Sequence, residues 1–258
     1  ITNMFSKMGA NDLASLKQYL DSDESGIKNY AKDVEYSYNV KPIIYSSNTQ
    51  KLRQVNRMLL DVKGVDKKFN GVYALKGLDF SLGEGEVHGL IGENGAGKST
   101  FIKILGGVYK RDGGSILRNG KDLPEVIRPE ESRKLGINII FQDNVLIPAF
   151  TGMENICLGR PYPVKGGLIR WKEMEREAAA KAEEFGIHLD LKKPVSMMTP
   201  AQKKCVEIVR AMMSDCKLLI LDEPTASLSD KETNLLFSIV RNLKAKGTSV
   251  LYVTHRLE

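Results

Sequence analysis

Cysteine is scarce in this chain, three residues among 258. Cys157, Cys205 and Cys216 are odd in number and lack a Cys-x-x-Cys spacing, so neither a disulfide framework nor a zinc site is indicated. They read as reduced thiols. No apolar run approaches the roughly 18 residues that span a bilayer, and the N-terminus lacks the basic-then-apolar pattern of a secretion signal. A cytosolic chain is therefore expected. Internal repeats and low-complexity tracts are missing as well, which argues against a solenoid or a disordered tail. The formal charge is +6, yet Lys and Arg are dispersed along the chain, so the charge reads as a solvated face and no nucleic-acid partner is expected.

With 42% apolar residues, the chain can bury the core of one large or two modest domains. Its first 57 residues differ in character from the rest. Leu13, Leu16 and Leu20 recur at helical spacing, and Val34, Tyr36, Tyr38 and Val40 alternate in strand fashion up to Pro42. A polar stretch from Ser46 through Arg57 has the composition of a linker, and Met58 opens a new apolar-patterned segment. Residues 1–57 are thus expected to be an α+β extension or fused fragment. Strands are expected over Leu59 to Val65, Leu78 to Leu82, Val87 to Ile91, Ser115 to Arg118 and Ile137 to Phe141. Between about residues 148 and 213 the pattern turns helical, notably Trp171 to Phe185 and Ala201 to Met213. Compact apolar strands return at Leu218 to Leu221 and Ser249 to Val253, flanking a helix from Asp230 to Ala245. The expectation is an α/β core interrupted by a helical insertion.

Gly92-Glu93-Asn94-Gly95-Ala96-Gly97-Lys98-Ser99-Thr100 forms a complete phosphate-binding loop between the apolar strand Val87 to Ile91 and a helix beginning near Lys98. Its glycines let successive backbone N–H groups turn toward a phosphate, while Lys98 reaches the β and γ oxygens and the Ser99 hydroxyl is suited to Mg²⁺. The helix adds the positive end of its dipole. A second element, Leu218-Leu219-Ile220-Leu221-Asp222-Glu223, is a buried-strand run ending in two carboxylates, as phosphate-loop enzymes use beside Mg²⁺. Asp222 would hold the metal through water. Glu223 would polarise the attacking water as general base. No Asn-Lys-x-Asp sequence that reads guanine is present, which favours ATP over GTP.

The order of further motifs makes residues 58–258 resemble an ATP-binding cassette (ABC) transporter ATPase. The carriers are Gln142 after the strand Ile137 to Phe141, Pro224 after Glu223, the run Ser227-Leu228-Ser229-Asp230, and His255 in Val253-Thr254-His255-Arg256. The resemblance implies that Gln142 links Mg²⁺ to the helical subdomain and that His255 contacts the γ-phosphate. It also implies that Phe69 stacks on adenine, with Tyr73 a competing candidate. The segment that the family writes Leu-Ser-x-Gly-Gln reads Met198-Thr199-Pro200-Ala201-Gln202 here. Thr199 keeps the hydroxyl and Gln202 is retained, whereas Ala201 replaces glycine and adds a Cβ where a backbone approaches phosphate. Pro200 suits the first turn of the following helix.

Within that family the chain is most similar to the duplicated ATPases of simple-sugar importers of the ribose and galactose type. The similarity runs through Phe69-Asn70-Gly71-Val72-Tyr73-Ala74-Leu75, Glu154-Asn155-Ile156, Ile169-Arg170-Trp171 and Val206-Glu207-Ile208. It implies a second cassette as partner, membrane permease subunits, an indirect link to a solute-binding protein, and a place on the cytoplasmic face of the membrane. Residues 1–57 bear a faint resemblance to the extracytoplasmic domain of macrolide-export-type permeases. Two other readings are a non-transport cassette acting on nucleic acid or the ribosome, and a fused or truncated cassette with little turnover.

Overall fold

The computed structural model describes residues 43–46, 58–143 and 145–255. The helical pattern of Leu13 to Leu20 and the alternating Val34 to Val40 lie outside the described residues. Strands Met58–Phe69 (β2) and Val72–Gly83 (β3) form an antiparallel hairpin whose tip residues, Asn70 and Gly71, both take positive φ. Asn-Gly is the pair that a tight hairpin turn with two left-handed residues favours. The strands expected from the sequence stop short of this turn. With Gly113–Arg118 (β5) and Lys121–Asp122 (β6), the hairpin makes a sheet in the order β3-β2-β5-β6.

The second sheet holds Ile43–Ser46 (β1), Val87–Ile91 (β4), Ile137–Ile140 (β7), Leu218–Asp222 (β10) and Ser249–Thr254 (β11), ordered β1-β4-β11-β10-β7. The last four are mutually parallel, and β1 lies antiparallel along β4 at the edge. Every residue of β4 and β10 is buried, as expected for parallel strands covered on both faces. Because strand side chains alternate, Leu219 and Leu221 enter one core while Leu218 and Ile220 enter another. The second of these cores is closed by β2, β3 and the helix Lys98–Leu105 (α1), through Leu60, Leu82, Phe101 and Leu105. Thr100 lies in the first turn of α1, and a short helix, Pro129–Lys134 (α2), precedes β7.

The first core is shared with the helical segment, where Gly152–Cys157 (α3), Trp171–Glu184 (α4) and Pro200–Met212 (α5) pack on one another. Met174, Ala178 and Ala182 recur every four residues on α4 and form its buried stripe. A hairpin of Val164–Lys165 (β8) and Leu168–Ile169 (β9) interrupts this helical part, turning at Gly166 and Gly167 with positive φ. The helix Asp230–Ala245 (α6) begins on a Ser229–Glu232 capping box with Asp230 in its first turn, and Gly247 follows its end in the left-handed region. No described helix is long and apolar enough to cross a membrane.

Candidate functional site

Parallel pairing sets the carboxyl ends of β4, β11, β10 and β7 side by side. Ile91 pairs with Thr254, Val253 with Asp222, and Leu221 with Ile140. The residues that come after these strands therefore emerge along one edge: Gly92 after β4, His255 after β11, Glu223 after β10 and, one residue beyond Phe141, Gln142 after β7. Open α/β sheets bind ligands at this end of their strands.

The loop from Gly92 to Gly97 joins β4 to α1. Gly97 is the N-cap of α1, at φ 85°, and a Cβ there would collide with the carbonyl of Ala74 on β3. Glycine is needed both for that conformation and for that close approach. Gly95 is also left-handed, at φ 86°, and the Ala96 N–H donates to the Glu93 carbonyl across the turn. Glu93, Asn94, Gly95 and Ser99 are exposed, whereas Lys98 is buried. The Lys98 ammonium folds over the loop and donates to the carbonyls of Gly92, at 2.6 Å, and Glu93, at 3.0 Å.

Asp222 is buried, and burial raises its proton affinity; the neighbouring Glu223 charge raises it further, while Lys98, Lys103 and Lys204 oppose that. Glu223 takes φ 48°, an uncommon value for a non-glycine residue, and its N–H donates to the Val253 carbonyl at 2.9 Å. This turn directs its carboxylate to His255, whose Nδ1 lies 2.8 Å from Glu223 Oε1. Close by, Tyr252 Oη donates to Thr225 Oγ1 at 3.2 Å, and burial pushes the Tyr252 phenol up.

Of the remaining predicted residues, Gln142 shares this strand edge and the others sit elsewhere. Gln142 is exposed just past β7, and among the described residues no hydrogen bond joins its side chain to Ser99 or Asp222. Thr199 and Gln202 bond each other in a capping box at the start of α5. Ala201 lies inside that helix with its methyl buried and is not among the positive-φ residues, so the alanine fits the backbone it occupies. Among the described residues, no hydrogen bond or ion pair links this helix start to the Gly92 loop of the same chain. Phe69, at the end of β2, is 40% exposed and packs edge-on against Tyr109, with Lys67 over its ring. Tyr73, across the hairpin, carries Lys68 at 4.3 Å from its ring centroid. Tyr109 gives no signal in the sequence, because no local pattern ties it to Phe69.

Residues 75–226, more than half of the chain, match the family model described as ABC transporter. The chain belongs to the ABC transporter family. It is 47% identical over 202 residues to the Ribose import ATP-binding protein RbsA 1 of Rubrobacter xylanophilus, covering 78% of this chain and 40% of that protein. It is 42% identical over 199 residues to the Arabinose import ATP-binding protein AraG of Rhizobium etli, covering 77% of this chain and 39% of that protein. The chain thus spans about two fifths of the length of these relatives. Among solved structures, it is similar to the ADP conformation of an ATP-binding cassette of an ABC transporter, with TM-score 0.67 and 29% identity. That match covers 78% of this chain and 82% of the solved one. The α/β cassette fold expected from the motifs is the fold of this neighbour.

Proposed function

We propose that this ABC-family chain binds MgATP at the carboxyl ends of its parallel strands and hydrolyses it to power import of a simple sugar. The observation that carries the reading is the 2.8 Å contact of His255 with Glu223 on the same strand edge that presents the Gly92 loop. Relatives named for ribose and arabinose import support the solute class.

In this reading the backbone of Gly92, Glu93, Asn94, Gly95, Ala96 and Gly97 receives the phosphates, with Lys98, Ser99 and Thr100 at the helix start. Lys98 exchanges its carbonyl partners for phosphate oxygens. Phe69 stacks on the base. Ser99, Gln142 and, through water, Asp222 would form an all-oxygen donor set suited to a hard cation, and Asp222 and Glu223 set two carboxylates side by side there. Mg²⁺ bound by these groups would neutralise charge on the phosphoryl oxygens. Glu223 accepts the proton of the attacking water, and His255 fixes the orientation of its carboxylate. Buried Lys98 and the dipole of α1 hold positive charge where it counters the charge developing on the transferred group.

Thr199, Ala201 and Gln202 serve a second cassette, since in their own chain they have no bond to the Gly92 loop. Permease subunits dock on the helical part and the loop before it, where Val145, Ile147, Phe150 and Trp171 leave apolar surface exposed. A solute-binding protein engages only the permease. In this reading the chain lies on the cytoplasmic face of the membrane. Residues 58–258 form the ATPase domain, with a helical subdomain over about 148–213, and residues 1–57 are an extension whose strand β1 lies along β4.

Steady-state MgATP turnover tests the reading. The isolated chain is expected to turn over slowly, and adding a second cassette should raise the rate. A full rate that is independent of concentration would overturn the shared site, and no turnover with a competent partner cassette would overturn the ATPase itself.

A further inference from the structure

Two charged side chains on α5 are buried beside the site just described, which so far involves only Lys204, through its charge on Asp222. Lys204 and Glu207 are 7% and 1% exposed and form an ion pair at 2.9 Å. Both side chains also bond backbone on either side of Gln142. Lys204 Nζ donates to the Phe141 carbonyl at 3.1 Å, and Glu207 Oε1 accepts from the Val145 N–H at 3.1 Å. Further along α5, Arg210 Nη1 donates to the Val145 carbonyl at 3.3 Å. Fully buried Asn155 completes the hold from α3, accepting from the Ile147 N–H and donating to the Ile147 carbonyl.

A buried ion pair is weak evidence for stability, because desolvation offsets its attraction and apolar replacements are often neutral. What this pair supplies that apolar residues could not is two oriented hydrogen bonds to a loop backbone. We propose that Lys204 and Glu207 are positioning residues that fix the Gln142 segment onto α5, the helix that begins at Thr199. The loop's own sequence does not supply the grip onto α5, since those bonds come from residues about sixty positions away. The functional consequence rests on Gln142 acting as a Mg²⁺ ligand in the proposed ATPase, whereas the grip itself does not.

The test is the double variant Lys204→Met/Glu207→Leu, which removes both charges at once and leaves the local net charge unchanged. Amide hydrogen exchange of the whole chain reads the grip without any activity. The Val145 amide should lose its protection in the variant, while the amides of Leu218 to Asp222 keep theirs. Protection of Val145 equal to that of the unaltered chain would overturn the proposal. With a partner cassette present, the Mg²⁺ concentration for half-maximal turnover should rise about tenfold or more, the usual effect of losing an outer-shell partner. ATP affinity measured without divalent metal should stay the same. An unchanged Mg²⁺ requirement would overturn the link to Gln142. If the unaltered chain shows no turnover, the ATPase reading fails and hydrogen exchange alone judges the grip. The reversed pair, Lys204→Glu/Glu207→Lys, keeps the ion pair but turns a carboxylate toward the Phe141 carbonyl. It should be as defective as the apolar double variant, and full recovery would mean that the pair serves only stability.

Discussion

His255 Nδ1 lies 2.8 Å from Glu223 Oε1, joining the residue after β11 to the residue after β10. The carboxylate is held by an imidazole on one side and by a left-handed backbone at Glu223 on the other. An uncommon φ at the end of a buried strand is where strain serves positioning.

Glu223→Gln is expected to bind MgATP normally and to lose turnover by roughly 10²–10⁴, the loss that accompanies removal of a general base. His255→Ala should also keep binding, with a smaller fall in turnover, because it removes the group that orients the carboxylate and leaves the base. Single-turnover rates with a partner cassette check the order. A larger effect at His255 than at Glu223 would reverse the roles.

Lys98→Ala removes a buried ammonium that reaches the loop carbonyls of Gly92 and Glu93. Hydrogen bonds to charged groups are worth about 1.5–3 kcal/mol, so a fluorescent ATP analogue should bind at least roughly tenfold more weakly, and up to about a hundredfold. Equilibrium titration decides, and unchanged affinity would remove the Gly92 loop from nucleotide binding.

Asp222→Asn should raise thermal stability in metal-free buffer while abolishing most Mg²⁺-dependent turnover. Burial and Glu223 raise the Asp222 pKa in the folded chain, so the folded state binds the proton more tightly than the unfolded one. The ionised carboxylate then costs stability as pH rises through and above the ordinary aspartate range, about 4, and costs none below it. The stabilising effect of asparagine is therefore expected at neutral pH and should vanish in acid. Melting curves at several pH values check the sign.

The thiols should be inert in the folded chain. Burial pushes Cys205 and Cys216 to about 12 and also raises Cys157. At a pH of about 8 a thiol at that value is ionised to the order of 10⁻⁴, and the thiolate is the nucleophile. Labelling with a thiol reagent should be slow at all three sites until denaturant is added. Rapid labelling of Cys205 or Cys216 in native buffer would contradict their burial.

Local chemistry carried much of this protein in its sequence. The Gly92 loop declares itself through glycines and a lysine at fixed spacing, Asp222 and Glu223 through an apolar run closed by two acids, and the helix expected from Asp230 to Ala245 has the same bounds in the structure. Such signals depend on neighbours a few residues apart. The helical part was legible as helix, but its β8–β9 hairpin was not, because two-residue strands carry no periodicity. Tertiary structure alone decided the rest. Strand order and parallel register placed His255 against Glu223, about thirty residues away in the chain, and laid β1 along the edge of β4. Lys204 and Glu207 look in the sequence like members of a solvated helix face. Only the packing of α5 against the end of β7 buries them and turns their charges onto the backbone beside Gln142. The physical reason is that burial and register are long-range properties, set when distant segments share a core.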